Sequence, residues 1–225
     1  LVGEFTVDPD QSRYAADRAQ MKAWFGGDAL PLAGVDARAG ITALRIDLEA
    51  GTASAEVPDA EVAGVAFATS VQLRGLDTSP VAEFRVQTQD FNPRAAAAAL
   101  AVTLPEMADD KALTHARIAV QGEASAAMFS AEASALAIDD TLATGSVRWP
   151  LSGAATPFVR LDADRVVLDR YLPPPVPGSK PTHPGVALEQ ALKQLRALHI
   201  DARISIGEAR VAGAVATELV LSVEP

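Results

Sequence analysis

Cysteine is absent from all 225 residues. That excludes disulfides, thiolate metal sites and thiol catalysis, and it leaves the redox compartment open. Aromatic side chains are scarce, at 5% of the chain, and the apolar mass is mostly Ala, Val and Leu. Small side chains of this kind suit a thin, extended packing better than a thick globule. Cations are also short: 19 Lys and Arg stand against 29 Asp and Glu, for a net charge of −10 and a pI near 4.7. A surplus of positive charge is what displaces counterions from nucleic acid or holds anionic headgroups, so neither partner is expected on charge alone. Long hydrophobic runs are missing as well. The longest, AAAAALAV at 95–102, falls far short of the roughly 20 residues a bilayer demands. The chain opens on Leu1 and closes on ELVLSVEP as another alternation develops, so a segment of a larger protein is expected.

What is present is period-two alternation. In ITALRIDLEAG (41–51), Thr42, Leu44, Ile46 and Leu48 share one face, with Ala43, Arg45, Asp47 and Glu49 on the other. In VAFATSVQLRGL (65–76), Val65, Phe67, Val71 and Leu73 oppose Ala66, Ser70, Gln72 and Arg74. The pattern returns in EFRVQT (83–88), ARIAVQG (116–122), GSVRWPL (145–151), FVRLDADRVV (158–167) and ARISIGE (202–208). Half-buried antiparallel strands produce it. Two helices are predicted. FNPRAAAAAL has an N-cap in Asn92, Pro93 in the first turn, and a run of the strongest helix former. PGVALEQALKQLRAL (184–198) sets Leu188, Ala191, Leu192, Leu195 and Leu198 on one face, as a core-packing helix does. PPPVPGSKPTHPG (173–185) is too rich in proline for either element and reads as a linker. Residues 12–25 are ambiguous: propensity favours helix, yet Ala15, Ala19, Met21, Ala23 and Phe25 also make one strand face.

ARIAVQGEASA (116–126) and ARISIGEARVA (202–212) share Ala-Arg-Ile and then Gly-Glu-Ala, with Gly122 and Gly207 about 85 residues apart. This predicts repeated units of three strands and a terminating helix, at roughly 30–104, 111–175 and a partial 184–225. The expected fold is mainly β with a few short helices: an extended, curved antiparallel sheet shaped as a trough.

Chemistry has no visible carrier. The three histidines, His115, His183 and His199, form no zinc pattern, and no P-loop, GxSxG or dinucleotide fingerprint occurs. No cofactor, metal or catalytic residue is expected. Asp162 and Asp164 in LDADRVVLD lack the remaining ligands of a calcium loop and read as residues of a solvated strand face. Asp139 and Asp140 in DDT read as a hairpin turn. Tyr171 reads as a ring packed under the sheet end with its hydroxyl in water.

The order of DFNPRAAAAAL, IDDTLATGSVRW, LDRYLPPP and LRALHIDARISIGEARVAG resembles the AsmA family of Gram-negative bacteria over roughly residues 30–225. Arg148 and Trp149 depart from the family's usual light strand residues at that point. The resemblance implies a periplasmic protein of outer-membrane biogenesis, held in the inner membrane by an N-terminal helix outside this sequence. It also implies a role in phospholipid homeostasis, with larger relatives forming long sheets around a greasy trough, and no family catalytic residues. Joined to the alternation, it predicts an apolar groove for acyl chains lined by Val65, Phe67, Val71, Leu73, Phe84, Val86, Ile118, Val120, Trp149, Leu161, Ile204 and Ile206. The partners so implied are phospholipid or another lipid and the membrane; nucleic acid is not among them. The alternative is a non-catalytic module with a closed core that docks to envelope assembly proteins.

Overall fold

The computed structural model describes residues 2–8, 12–25, 34–153, 155–174, 200–211 and 213–224. One open sheet of twelve strands dominates it, and the strands lie side by side in chain order. They are β1 (Val2–Asp8), β2 (Arg13–Phe25), β3 (Val35–Asp47), β4 (Thr52–Val62), β5 (Val65–Arg74) and β6 (Val81–Thr88). After the helix α1 (Pro93–Ala99) come β7 (Ala116–Ser125), β8 (Met128–Ile138), β9 (Thr141–Pro150) and β10 (Phe158–Val167). A 3-10 turn at Leu168–Arg170 precedes β11 (Asp201–Val211) and β12 (Ala214–Val223).

Neighbouring strands are antiparallel except β10 and β11, which run parallel. This corrects the expectation of an antiparallel sheet throughout, and the reason is the connection. Hairpins such as Ala63-Gly64, both with left-handed φ (54° and 77°), return the chain at the same end of the sheet. β10 and β11 instead enter the sheet from the same end, as parallel partners do. The helix expected over 184–198, the linker beyond Pro174, His183 and His199 lie outside the described residues.

Helical stops come after four strands, not three: β3 to β6 end in α1, and β7 to β10 end in the 3-10 turn. The strands missed in the count are β4 and β8. At α1 the Asn92 side chain accepts a hydrogen bond from the Ala95 amide at 3.0 Å, and Pro93 opens the first turn as expected. The ambiguous stretch is a strand, β2.

Fully buried residues among those described are few and small: chiefly Ala16, Ala19, Ala60, Ala112, Ala116, Ala202 and Ala209, with Val35, Ile200, Ile206 and Val223. None of them is polar. Packing therefore runs sideways from strand to strand, and a thick core is not built from these residues. Small residues are essential where strands crowd. A Cβ on Gly122 would fall 2.2 Å from the Ser130 carbonyl oxygen and 2.7 Å from the Phe84 ring. Gly122→Ala is expected to destabilise the fold by about 2 kcal/mol, because backbone, not a movable side chain, stands in the way. Gln121→Val, on the opposite face of the same strand, is expected to stay within about 0.5 kcal/mol in the same denaturant titration.

Candidate functional site

Side chains of paired residues project to the same face of a sheet, so the strand register shows what that face carries. One row crosses the sheet through Ala16, Leu44, Ala55, Val71 and Phe84. It continues through Gly122, Ala131, Val147, Val159, Ala202 and Val223 to the far edge. Every position in it is apolar or glycine. The next row toward one strand end holds Tyr14, Ile46, Ala53, Leu73, Ala82, Ala124, Phe129 and Trp149. A third, on the other side, holds Val86, Val120, Ala133, Gly145, Leu161, Ile204 and Leu221. Phe84 and Phe129 bind adjacent rows by stacking, with centroids 5.7 Å apart.

Strict alternation would not keep this face apolar. In β4, Ala53, Ala55 and Val57 would be followed by Asp59 and Glu61. Instead the register slips between Val57 and Ala60, and Ala60 and Val62 come to the apolar face opposite Phe67 and Val65. Pro58, which cannot donate to the ladder, sits in the slip. In β8 the slip between Ala133 and Leu136 does the same for Leu136 and Ile138. In β2 the left-handed Arg18 (φ 54°) separates Ala16 from Ala19, and both are buried. This corrects the face expected there, since Ala16, not Ala15, joins Ala19. In β12 the left-handed Glu218 (φ 55°) separates Leu219 from Ala216, whose partners Ile206 and Ala209 are both buried.

All twelve groove candidates read from the sequence lie on this one face. Val65, Phe67, Val71 and Leu73 come from β5, Phe84 and Val86 from β6, and Ile118 and Val120 from β7. Trp149, Leu161, Ile204 and Ile206 follow from β9, β10 and β11. Ile206 is buried, Trp149 is 44% exposed, and the others are half-buried. Thr42 and Leu48, read from the sequence on the face of Leu44 and Ile46, are exposed.

The opposite face is charged. Arg45 pairs with Asp17 at 2.8 Å, Arg74 with Glu83 at 2.5 Å, and Arg160 with Asp162 at 2.7 Å. Exposed pairs of this kind add little stability. Three concavities open on this side. The first, about 470 Å³, is lined by Arg85, Gln121, Glu132 and Arg148 among others. The second, about 760 Å³, lies around Arg45, Ser54 and Gln72, and the third, about 490 Å³, around Trp24, Arg38 and Glu61. Asp162 and Asp164 are separately engaged: Asp162 by Arg160, and Asp164 by the Leu142 amide at 2.8 Å. Both are held below the usual carboxylate range by those donors.

The recurring motifs meet at one end of the sheet. Asp139 accepts hydrogen bonds from the amides of Leu113 (2.7 Å), Thr114 (3.0 Å) and His115 (3.2 Å). The Tyr171 hydroxyl donates to it at 2.9 Å, so that hydroxyl is not left to water as expected. Arg170 donates to Asp109 at 2.7 Å and to Asp140 at 2.6 Å. Arg94 donates to the carbonyls of Ala112 (2.5 Å) and Asp109 (3.1 Å). FNPR, DDT and LDRYL thus fasten the loop 100–115 across the strand ends. Sequence reading took Asp139 and Asp140 as turn residues, which they are, between β8 and β9. It missed their clamp role, and Asp109 and Arg94 with it. The signal available was the motifs' common charge pattern, arginines in two and paired aspartates in the third.

Burial pushes the Tyr171 phenol up, the Asp139 carboxylate beside it adds to this, and its pKa stands at about 12. Burial alone would raise Asp139, but the Leu113 amide, the Tyr171 hydroxyl and the other two amides outweigh it and hold it low. Asp109 is held low by the Lys111 amide and then by Arg170.

The chain matches no protein-family model, no curated protein and no solved structure. No helix among the described residues is long and apolar enough to cross a membrane.

Two pH effects follow from the clamp. Unfolded Tyr171 ionises near 10 and the folded residue near 12. Its contribution is therefore complete below pH 10 and lost as pH rises toward 12. The depressed Asp139 acts the other way: its contribution is complete above its unfolded pKa of about 3.8 and is lost as pH falls below that. Tyrosinate absorbance should show a late ionisation from Tyr171, near 12. Asp139→Asn should bring the late titration back toward 10 and destabilise the fold by about 2 kcal/mol.

Proposed function

We propose that this chain is a periplasmic segment of an AsmA-like protein that binds or conducts phospholipid acyl chains along its apolar sheet face, without catalysis. One observation carries the reading: the central row is apolar or glycine from strand to strand, and the strand phase slips where alternation would otherwise bring Asp59 and Glu61 onto this face. A face maintained in that way, and not closed by a second sheet of the described residues, is suited to hydrocarbon. At about 0.8 kcal/mol per methylene, a sixteen-carbon chain lying on it would gain on the order of 10 kcal/mol. With strands spaced about 4.8 Å apart, the face extends for roughly 50 Å along the sheet.

Curvature into a trough belongs to the same proposal. At Gly122 and Gly145 a neighbouring backbone oxygen comes within 2.2 Å and 2.7 Å of where a Cβ would stand on the apolar side. Glycine there lets adjacent strands fold toward the oily face. In the parent protein an N-terminal helix outside this sequence would anchor the sheet at the inner membrane, and the role would lie in outer-membrane biogenesis.

The second reading, a docking module for envelope assembly proteins, draws on the polar face and its three concavities. The two separate by mutation. Val71→Glu and Val147→Glu interrupt the central apolar row, and each is expected to reduce binding of a fluorescent phospholipid at least tenfold while circular dichroism keeps the β signature. Arg85→Glu, on the polar face, is expected to leave lipid binding unchanged. Mass spectrometry of the purified chain should find phospholipid. Lipid-free protein that takes up no phospholipid from vesicles would end the first reading.

A further inference from the structure

We propose that the central concavity of the charged face, which spans β5 to β9, binds an anionic oligosaccharide whose acid groups are held by Arg85 and Arg148. Four arginines elsewhere on this face are spent on carboxylates: Arg13 on Asp47, Arg38 on Glu61, Arg45 on Asp17 and Arg160 on Asp162. Arg85 and Arg148 line one concavity of about 470 Å³. Neither guanidinium has an ion pair or hydrogen bond among the described residues. Glu83 and Glu123 line the same concavity, but both lie against Arg74, at 2.5 Å and 3.9 Å. Arg148 is also the departure from light strand residues noted in the sequence, and facing this concavity gives it a use.

The register shows what lies between the two arginines. One polar row runs Ser70, Arg85, Gln121, Glu132 and Ser146, and the next holds Glu123, Ser130 and Arg148. Serine hydroxyls and the Gln121 amide both donate and accept, whereas ionised Glu132 only accepts. None of these serines, Gln121 or Glu132 spends its side chain on another described residue. The short serines leave a hollow among longer neighbours, and its lining is a set of unspent hydrogen-bonding groups.

The ligand that matches this lining carries hydroxyls for the serines, Gln121 and Glu132, and negative groups for the arginines. Phe84, the one aromatic residue of the lining, turns its ring to the apolar face and stacks there on Phe129. A nucleobase would find no ring to stack on, so a nucleotide is the poorer fit. Arg85 and Arg148 stand three strands apart, about 14 Å at the usual strand spacing. That span suits two or three sugar units with repeated acid groups better than a single phosphate. The chain's net charge of −10 gives polyanions no general hold, so recognition rests on these two residues and weakens with salt.

Isothermal titration of the full chain with trigalacturonate, which has a carboxylate on every sugar, is expected to show saturable binding that weakens as salt is added. Arg85→Gln and Arg148→Gln should each raise the dissociation constant about tenfold, as loss of a charge-assisted hydrogen bond does. Both residues are exposed, so the variants should keep the fold, which circular dichroism checks. Arg203→Gln, on the same face outside the concavity, should bind as the natural chain does. Maltotriose, of equal length and uncharged, should bind about tenfold more weakly than trigalacturonate. Phospholipid binding belongs to the opposite face and is read separately, so the two proposals fail independently. Absence of saturable trigalacturonate binding would overturn this one. So would equal binding of maltotriose, or binding that survives the loss of both arginines.

Discussion

Parity is the constraint on which the structure depends. Each strand turns its residues alternately to two faces, and neighbouring strands must agree on which face is apolar. With few large residues and no second sheet among the described residues, the fold gains its apolar burial sideways, from one strand to the next. A single strand out of phase would place Asp59 and Glu61 among Phe67, Val65 and their neighbours. The penalty for burying unpaired carboxylates there exceeds what a local irregularity of the backbone costs. The slips at Pro58 and Ser134 and the left-handed residues Arg18 and Glu218 are the cheaper solution, and they make the face continuous.

The strand ends are governed by a different interaction. Half-buried Asp139 collects three backbone amides and one phenol, and Arg170 joins Asp109 to Asp140. A loop such as 100–115 has amides that strands do not satisfy, and buried donors need acceptors. The motifs that look most like a signature in the sequence thus have a structural purpose. They hold the chain where one four-strand unit turns over into the next.

Much of the sheet was legible in the sequence. The alternations of ITALRIDLEAG, VAFATSVQLRGL, EFRVQT, ARIAVQG and ARISIGE lie in strands apart from the turn residues 48–51 and 75–76, and the groove candidates among them share a face. The failures are informative. TASAEVPDAEV and MFSAEASALAI, which form β4 and β8, escaped notice, and SRYAADRAQMKAWF, most of which forms β2, was ambiguous. Each contains a phase slip that breaks the period of two just where the periodic signal is sought. The count of strands per unit erred for the same reason. The parallel junction of β10 with β11 was also missed, because strand direction depends on the path of the connection and leaves no mark on the alternation.

By itself, the sequence determined that this chain would form ribbons with one oily side and one charged side, since residue alternation and strand geometry share a period. It also determined where α1 begins, through Asn92 and Pro93, because capping is a local interaction. Tertiary structure decided the rest. Register brought the oily sides of the eleven strands from β2 to β12 onto one face, and slips restored phase where the sequence lost it. Long-range hydrogen bonds drew FNPR, DDT and LDRYL to a single clamp. These outcomes depend on which strand lies beside which, and no residue encodes its neighbour's phase.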